Sequence, residues 1–425
     1  MVNQDPAGGV GGSTGGTAGR AAGRQAERSA SYDLAPVDPR ALDASLRPFG
    51  ESRMLPREAY VSEDVFAWEQ RHFFAGGWVC VGRSSELSEP CDQMAKSLGH
   101  SGVFLVRDKE RRLRAFANAC RHRGHELLAC GEKVNREIVL CPYHAWSYRL
   151  NGDLRRAPLY DDGRLASFRA EEFGLVELPC EEWHGLVFVD GSAGRAAPLS
   201  EQLAGLEEIV APYEPERLVT LGTHSYETTA NWKILSENYQ ECYHCPVIHP
   251  ELCRVSPPES GENYTHPGTG AWVGGWMELR DDVATMSLTG ATSGTPLRGL
   301  DARRRRIVDY IGIFPNVLLS LHPDYVMTHL LTPLAAGRTH VECTWAFSPE
   351  DAGRPGFDPS FAIDFWDVTN RQDWAACESV QRGLSSEHAI PGVLSVSEDG
   401  VYQLVTMVAR GYAGLPISPG VLAQS

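Results

Sequence analysis

Two pairs of residues in the first third of the chain have the types and spacing to hold an inorganic cluster. Cys120 and His122 read Cys-Arg-His; after eighteen intervening residues Cys141 and His144 read Cys-Pro-Tyr-His. Two thiolates and two imidazoles can carry a [2Fe–2S] cluster with both imidazoles on one iron. Neutral imidazole leaves that iron less electron-rich than thiolate would, which raises the potential by several hundred millivolts. A centre of this kind passes single electrons, so a second site should lie at the other end of the transfer.

The run from residue 231 to residue 249 offers one. His244 and His249 stand five positions apart. Five residues of unbroken helix turn a side chain through about 140°, so the two rings would not face one ion. Pro246, between them, withholds an N–H and predicts a kink or exit that returns His249 towards His244. Glu241, three residues before His244, would share its helical face. Two imidazoles and a carboxylate make the facial set that leaves positions open for O₂ on Fe(II). The downstream carboxylate singled out is Asp373, in Asn370-Arg371-Gln372-Asp373-Trp374. By residue type alone many acidic residues would serve, and two histidines at this spacing are more often structural than metal-binding.

These groups need scaffolds. A helix is predicted over 61–78, capped by Ser62 and ended by Gly76-Gly77. Short strands follow at 102–107, 113–117, 138–140 and 185–189, punctuated by Gly, Pro and charge, which indicates a small all-β module. Both halves of the cluster motif fall at strand ends, where loops can converge. From about residue 197 the pattern changes: a helix over 199–213, an extended stretch at 218–229, a helix over 232–243, then strands at 307–314, 317–321, 326–332 and 341–347. A long amphipathic helix over 361–383, with Phe365, Val368 and Trp374 among its apolar positions, closes this second unit. The fold class is α+β, an antiparallel sheet closed by a long C-terminal helix after the β module.

At 425 residues the chain can form two or three domains. Its 39 basic against 55 acidic residues, a net charge of −16, exclude a general nucleic-acid role. The run Arg303 to Arg306 reads as a solvated face. Eleven cysteines without a framework read as reduced thiols of a cytoplasmic enzyme. No apolar run is long enough to span a membrane, and no secretory leader is expected. A Gly/Ala-rich stretch at 7–23 predicts a disordered tail through residue 45, with order beginning near Leu42.

With these motifs on the page, the chain resembles the large (alpha) subunits of Rieske non-haem iron oxygenases over nearly everything after residue 45. Cys120-Arg121-His122-Arg123-Gly124 and Cys141-Pro142-Tyr143-His144-Ala145-Trp146 resemble the two halves of the Rieske motif, although alanine stands at 145 where the family commonly has glycine. Asn231-Trp232-Lys233, Glu237-Asn238 and Tyr243-His244…His249 resemble the catalytic-iron segment. Gln372-Asp373…Cys377-Glu378 with Gln381-Arg382-Gly383-Leu384 resembles the segment that supplies the third ligand.

The resemblance implies a [2Fe–2S] cluster on Cys120, His122, Cys141 and His144, and a mononuclear Fe(II) on His244, His249 and Asp373. Glu241 becomes the carboxylate bridging a neighbouring subunit's cluster to His244, and Asn238 helps shape the iron pocket. It implies an N-terminal helical segment at 46–75, a β-sandwich Rieske domain at 76–192 and a helix-grip catalytic domain at 193–425. It also implies a homotrimer or stacked hexamer fed by NAD(P)H through a separate flavin/iron-sulfur reductase, with O₂ and a small molecule as substrates. Glutamate at 241, where ring-hydroxylating relatives usually have aspartate, is similar to the branch that demethylates betaine-like quaternary ammonium compounds. Trp272, Trp276, Tyr264, Tyr310 and Trp345 are candidate cation–π faces for such a group. Competing readings are an aromatic ring hydroxylase, a pure Rieske electron carrier and a zinc scaffold.

Overall fold

In the computed structural model, residues 34–160, 167–264 and 269–418 are described. In the first half, from Trp78 to Asp190, the described residues form strands joined by loops and short 3₁₀ turns. Strands Asp92–Leu98, Ser101–Arg107 and Leu113–Ala117 form an antiparallel meander, flanked by Lys133–Asn135 and Glu177–Leu178. Their inward residues Ala95, Phe104, Val106 and Phe116 bury one core with Cys120, Cys141, Trp146 and Tyr148. A hairpin of Val139–Leu140 and Ser147–Tyr148, extended by Leu154–Arg156, carries the second cluster loop. Strands Trp78–Arg83 and Leu186–Asp190 pair at the two chain ends of this half, with Cys180–Trp183 beyond. Every residue of the first two is buried, because Cys80 and Phe188 pack on into the second half.

That half is built on one antiparallel sheet of seven strands among the described residues. Its order is Val219–Thr228, Arg338–Phe347, Tyr325–Ala335, Val317–Leu321, Ile307–Ile313, Trp272–Glu278 and Glu262–Asn263. The helix Ser360–Leu384 lays Ala362, Phe365 and Trp366 against Tyr325, Met327 and Trp345 of the sheet. A polar joint ties this half to the N-terminal helix Glu63–His72. Glu69 and Lys233 form a fully buried ion pair at 2.6 Å. Trp232 Nε1 donates to the same carboxylate at 2.9 Å and the Tyr412 hydroxyl also donates to it.

Several boundaries differ from the sequence expectations, each for a local reason. A helix at Pro39–Ser45, capped by the Asp38 side chain, stands inside the segment expected to be tail, while residues 7–23 lie outside the described residues. Ser62 is an N-cap as expected, but the helix stops at His72, ahead of the two glycines. The single helix expected over 199–213 is broken into Leu199–Gln202, Glu207–Val210 and a 3₁₀ turn, with Gly205 at φ 87° between the first two. The long helix is not the last: Asp399–Tyr412 follows and is largely buried. Val368 is exposed rather than apolar core. Cys242 and Cys245, expected as thiols, are disulfide-bonded because the turn between them brings their Cα atoms to 4.9 Å. Arg303 and Arg305 are exposed and Arg304 and Arg306 half-buried, as a solvated face requires, and Arg304 to Arg306 also hold loops together by donating to backbone carbonyls of Glu208, Leu300, Val283 and Leu279. No helix among the described residues is long and apolar enough to cross a membrane.

The Tyr60 hydroxyl donates to Glu237 at 2.8 Å inside the same joint. Burial pushes the Glu237 carboxyl up to about 8, against the Tyr60 hydrogen bond and the Lys233 charge. The folded state therefore keeps a proton that an unfolded glutamate releases above about 4.3. Stability should fall as pH rises between about 5 and 8. Glu237→Gln should flatten that slope, read as the shift in urea midpoint between the two pH values.

Candidate active site

The catalytic constellation begins with a broken helix. Asn231 caps helix Trp232–Tyr239 by accepting from Lys233 N–H at 3.0 Å, and its amide donates to Ala336 O at 2.6 Å. Its own backbone N–H donates to Gln381 Oε1 at 2.9 Å. Thr229 N–H donates to Glu378 at 3.0 Å. These bonds fasten the histidine-bearing segment to the helix Ser360–Leu384, which carries Asp373. They explain why Asn231, Glu378 and Gln381 accompany the metal-ligating types in the two segments.

The helix ends at Tyr239, not at residue 243 as expected, so Glu241 and His244 share a turn rather than a helical face. Glu241 Oε2 accepts from the backbone N–H of Tyr243 and, at 3.2 Å, of His244, while Oε1 lies 2.6 Å from His244 Nδ1. Pro246 does not kink a helix. It stands in the first turn of the short helix Cys245–Ile248, where a missing N–H costs nothing. His249 follows that helix and starts the next, Pro250–Val255. Two short helices instead of one continuous helix thus turn the rings together.

Their Nε2 atoms stand 3.1 Å apart, and Asp373 Oδ1 lies 3.3 Å from His244 Nε2 and 2.9 Å from His249 Nε2. The three ligand atoms lie within 4.8 Å of one another. Each opposite nitrogen is held by an oxygen: His244 Nδ1 by Glu241, and His249 Nδ1 by Gln372 Oε1 at 2.7 Å. An oxygen behind each imidazole fixes its tautomer and orients the other nitrogen towards a metal. The donor set fits one iron. Asn238 Nδ2 sits 3.5 Å from His244 Nε2, on the metal side of the ring.

The cluster residues converge as well. Cys120 and Cys141 are buried, and the rings of His122 and His144 meet edge-on at 4.7 Å between centroids. His144 Nδ1 is buried without a hydrogen-bond partner. His122 Nε2 lies 3.4 Å from the Tyr160 hydroxyl, which leaves its Nδ1 as the ligating atom. An orphaned imidazole nitrogen beside two buried thiols fits a bound cluster. The two loops repeat one design: each cysteine N–H donates to the carbonyl five residues on, His125 or Trp146, at 2.8 Å. Each cysteine carbonyl accepts from the residue four on, Gly124 or Ala145. Those two residues have φ of 71° and 58°, a left-handed conformation that costs an alanine about 1 kcal/mol. Ala145→Gly should keep the cluster signal and raise stability by up to about 1 kcal/mol in thermal denaturation; Gly124→Ala should lower it by a similar amount.

Comparison with known proteins decides the family. Residues 77–169 match the Rieske [2Fe-2S] domain and residues 215–414 the ring hydroxylating alpha subunit (catalytic domain). The carnitine monooxygenase oxygenase subunit of Acinetobacter baumannii is 38% identical over 336 residues, 78% of this chain and 85% of that protein. The chain belongs to the Rieske ring-hydroxylating oxygenases. The carnitine monooxygenase oxygenase subunit of Escherichia coli K12 is 35% identical over 225 residues, 52% of this chain, and the match spans 58% of that relative's length. The quaternary ammonium Rieske monooxygenase CntA superposes with a TM-score of 0.73 at 26% identity, covering 89% of this chain and 99% of that one. The two matched domains are those of a [2Fe–2S] cluster and of a mononuclear non-haem iron.

A cavity of about 430 Å³ opens beside His244, His249 and Asp373. Of the five aromatics singled out in the sequence, only Trp276 and Tyr310 line it. Trp272 and Trp345 are buried in the core, and Tyr264 donates to Asp309 at 2.5 Å. Sequence reasoning missed Tyr239, Trp366 and Trp374 in the wall. The signal was present: Trp366, Thr369, Asn370, Asp373 and Trp374 follow helical spacing and share the face that carries the third ligand. His329 lines the cavity too, its Nε2 donating to Asn370 at 3.1 Å. Burial lowers it to about 4.

Burial opposes charge on the His244 ring, but the carboxylates of Asp373 and Glu241 raise it to about 9, and His249 is raised by Asp373 in the same way. Iron and protons therefore compete for these nitrogens. Loading iron into the metal-free protein at pH 7 should release protons, and affinity should fall as pH drops. Titration calorimetry in buffers of different ionisation enthalpy reads both.

Proposed function

We propose that this oxygenase hydroxylates a carbon bonded to the nitrogen of a small quaternary ammonium compound, after which the C–N bond breaks to give a tertiary amine and an aldehyde. For an N-methyl group the aldehyde is formaldehyde. Two electrons, delivered from NAD(P)H by a separate reductase, and two protons carry the second oxygen atom of O₂ to water. The observation that carries this reading is the cavity wall. Tyr239, Tyr310, Trp276, Trp366 and Trp374 line the cavity that opens at the triad, and aromatic surroundings are what a trimethylammonium group selects. Its relatives named for carnitine and for quaternary ammonium oxidation support the same class.

When bound, the cluster supplies single electrons and the iron activates O₂. The chain's residues do the rest. Cys120, His122, Cys141 and His144 hold the cluster, and His244, His249 and Asp373 hold the iron. Gln372 and Glu241 keep the two rings in the ligating tautomer. Against the cost of burial, hydrogen bonds from the two imidazoles hold the Asp373 carboxyl below the usual carboxylate range, so it remains an anionic ligand. Asn238 projects its amide beside the open side of His244. Glu241, bonded to the outer nitrogen of His244 and partly exposed, faces outward to meet His144 of a second copy in a homotrimer. The aromatic wall orients the ammonium and keeps water from the reacting carbon.

Purified protein with a reductase should consume O₂ and form aldehyde in equal amounts when given trimethylammonium compounds, and should carry about three irons per chain. Absence of turnover across such a panel overturns the reading, and about two irons per chain supports an electron carrier instead. Glu241→Gln should leave both metals loaded yet lower turnover by about 10–100-fold. Tyr310→Ala should weaken substrate binding by about 3–30-fold, the worth of one cation–π face.

A further inference from the structure

The bond that spans the first iron ligand makes the geometry of the site depend on a redox state. We propose that Cys242 and Cys245 are a thiol-sensitive clasp: as a disulfide the pair fixes the turn that aims Glu241 and His244, and a small thiol releases it. The clasp rests on the oxygenase reading of this site and not on the identity of the substrate.

Cys242-Tyr243-His244-Cys245 places two sulfurs three residues apart on either side of His244, and they are bonded to each other. Glu241, next to Cys242, accepts from the backbone N–H of Tyr243 and of His244 and reaches His244 Nδ1 at 2.6 Å. Cys245, the residue after His244, donates its N–H to Cys242 O at 3.2 Å, and its Sγ lies 3.9 Å from His244 Nε2. The disulfide therefore ties together the neighbours of His244 before and after it in the chain, and one of those neighbours adjoins Glu241.

Little else anchors the turn. Tyr243, Pro246 and Val247 are exposed. Cys245, by contrast, is buried in a core cluster with Leu252, Val255 and Met277, and Cys242 packs against the same cluster. Opening the disulfide leaves the bonds to Glu241 in place but removes the covalent tie between the turn and that core. Each residue so freed regains conformational entropy, which opposes a fixed aim of the ring.

The two sulfurs differ in access. Both residues line the cavity, but Cys242 is half-buried whereas Cys245 is buried. The thiolate of a small thiol therefore attacks Cys242. A new S–S bond joins the two, the Cys242–Cys245 bond breaks, and Cys245 leaves with the electron pair and takes up a proton. A second small thiol then attacks the small-molecule sulfur of that mixed disulfide, releasing a free disulfide and leaving Cys242 as a thiol. Two small thiols are oxidised, and the protein disulfide is reduced by the same two electrons. The triad is assembled in the clasped state, so the form that an oxidising environment favours is the one ready for O₂.

The test equilibrates the iron-loaded holoenzyme with glutathione buffers of graded redox poise, without O₂. Alkylation and mass spectrometry should show a two-electron transition in the peptide that holds both cysteines. Across that transition the affinity of the mononuclear site for iron should fall about 10-fold on reduction, the worth of a group that orients a ligand. It is read by competition with a ferrous chelator while the cluster's EPR signal is followed. Turnover, measured on addition of O₂ and reductase, should fall with it. Cys242→Ser and Cys245→Ser should each show the lower affinity in every buffer, whereas Cys130→Ser, at an exposed cysteine of the β module, should keep the response. If the pair shows no transition, if iron affinity is equal on both sides of it, or if either serine variant still responds to the buffer, the clasp is overturned and the oxygenase reading stands. If neither redox form turns over but iron affinity follows the transition, the oxygenase reading is overturned and the clasp stands.

Discussion

A carboxylate on one helix has to meet two imidazoles that precede it by more than 120 residues, with all three ligand atoms aimed at one point. Everything else in the catalytic half follows from holding that meeting to within a bond length. Left alone, two rings with their Nε2 atoms 3.1 Å apart would swing away or take up protons. The structure prevents the first with an oxygen behind each ring, whereas the buried charge of Asp373 favours a cation on the rings, so a metal ion has to displace protons there. The register between the two segments is set further back, where Asn231 and Gln381 bond to one another and to neighbouring backbone. The Glu69–Lys233 pair then locks the root of the first helix against the N-terminal helix. A buried ion pair is poor value as stabilisation but strongly specifies position, because each charge is costly anywhere else.

The cluster site solves a similar problem by repetition instead of by a joint. Two tight loops, one after strand Leu113–Ala117 and one between the paired strands Val139–Leu140 and Ser147–Tyr148, present a cysteine at the start and a histidine two or three residues later, each closed by the same pair of backbone bonds. The left-handed residue that ends each loop is glycine in one and alanine in the other. The second loop therefore keeps its shape under mild strain, held by Trp146 packed flat on the His122 ring at 5.0 Å and by the buried Tyr148. The departure at residue 145 is a difference in local strain and does not remove the loop.

The cavity connects this architecture to substrate chemistry. Its wall draws on the sheet through Trp276, Tyr310 and His329, on the broken helix through Tyr239, and on the long helix through Trp366 and Trp374. Because the last of these elements also carries Asp373, the substrate's position and the third ligand share one rigid body.

Residue type and local spacing were enough to single out the two cysteine–histidine pairs, while His244, His249 and Asp373 were joined as one set only through the family resemblance. Cys-x-His and Cys-x-x-His are single-loop motifs, and the strands Leu113–Ala117 and Val317–Leu321 lie where alternation and turn residues put them. The sequence could not show why Asp373, among 55 acidic residues, is the one that meets the two imidazoles, except through family resemblance, since its partners are distant in the chain. Nor could it place the end of the helix at Tyr239, because helix propensity continues past it and the competing turn is stabilised by the Glu241 side chain. The roles of Gln372, Tyr239 and Trp366 likewise came only with the tertiary structure. Local propensity determines which short segments form, whereas convergence on an ion or a ligand is a property of long-range packing, where many side-chain types satisfy the same local pattern and only one is brought into reach.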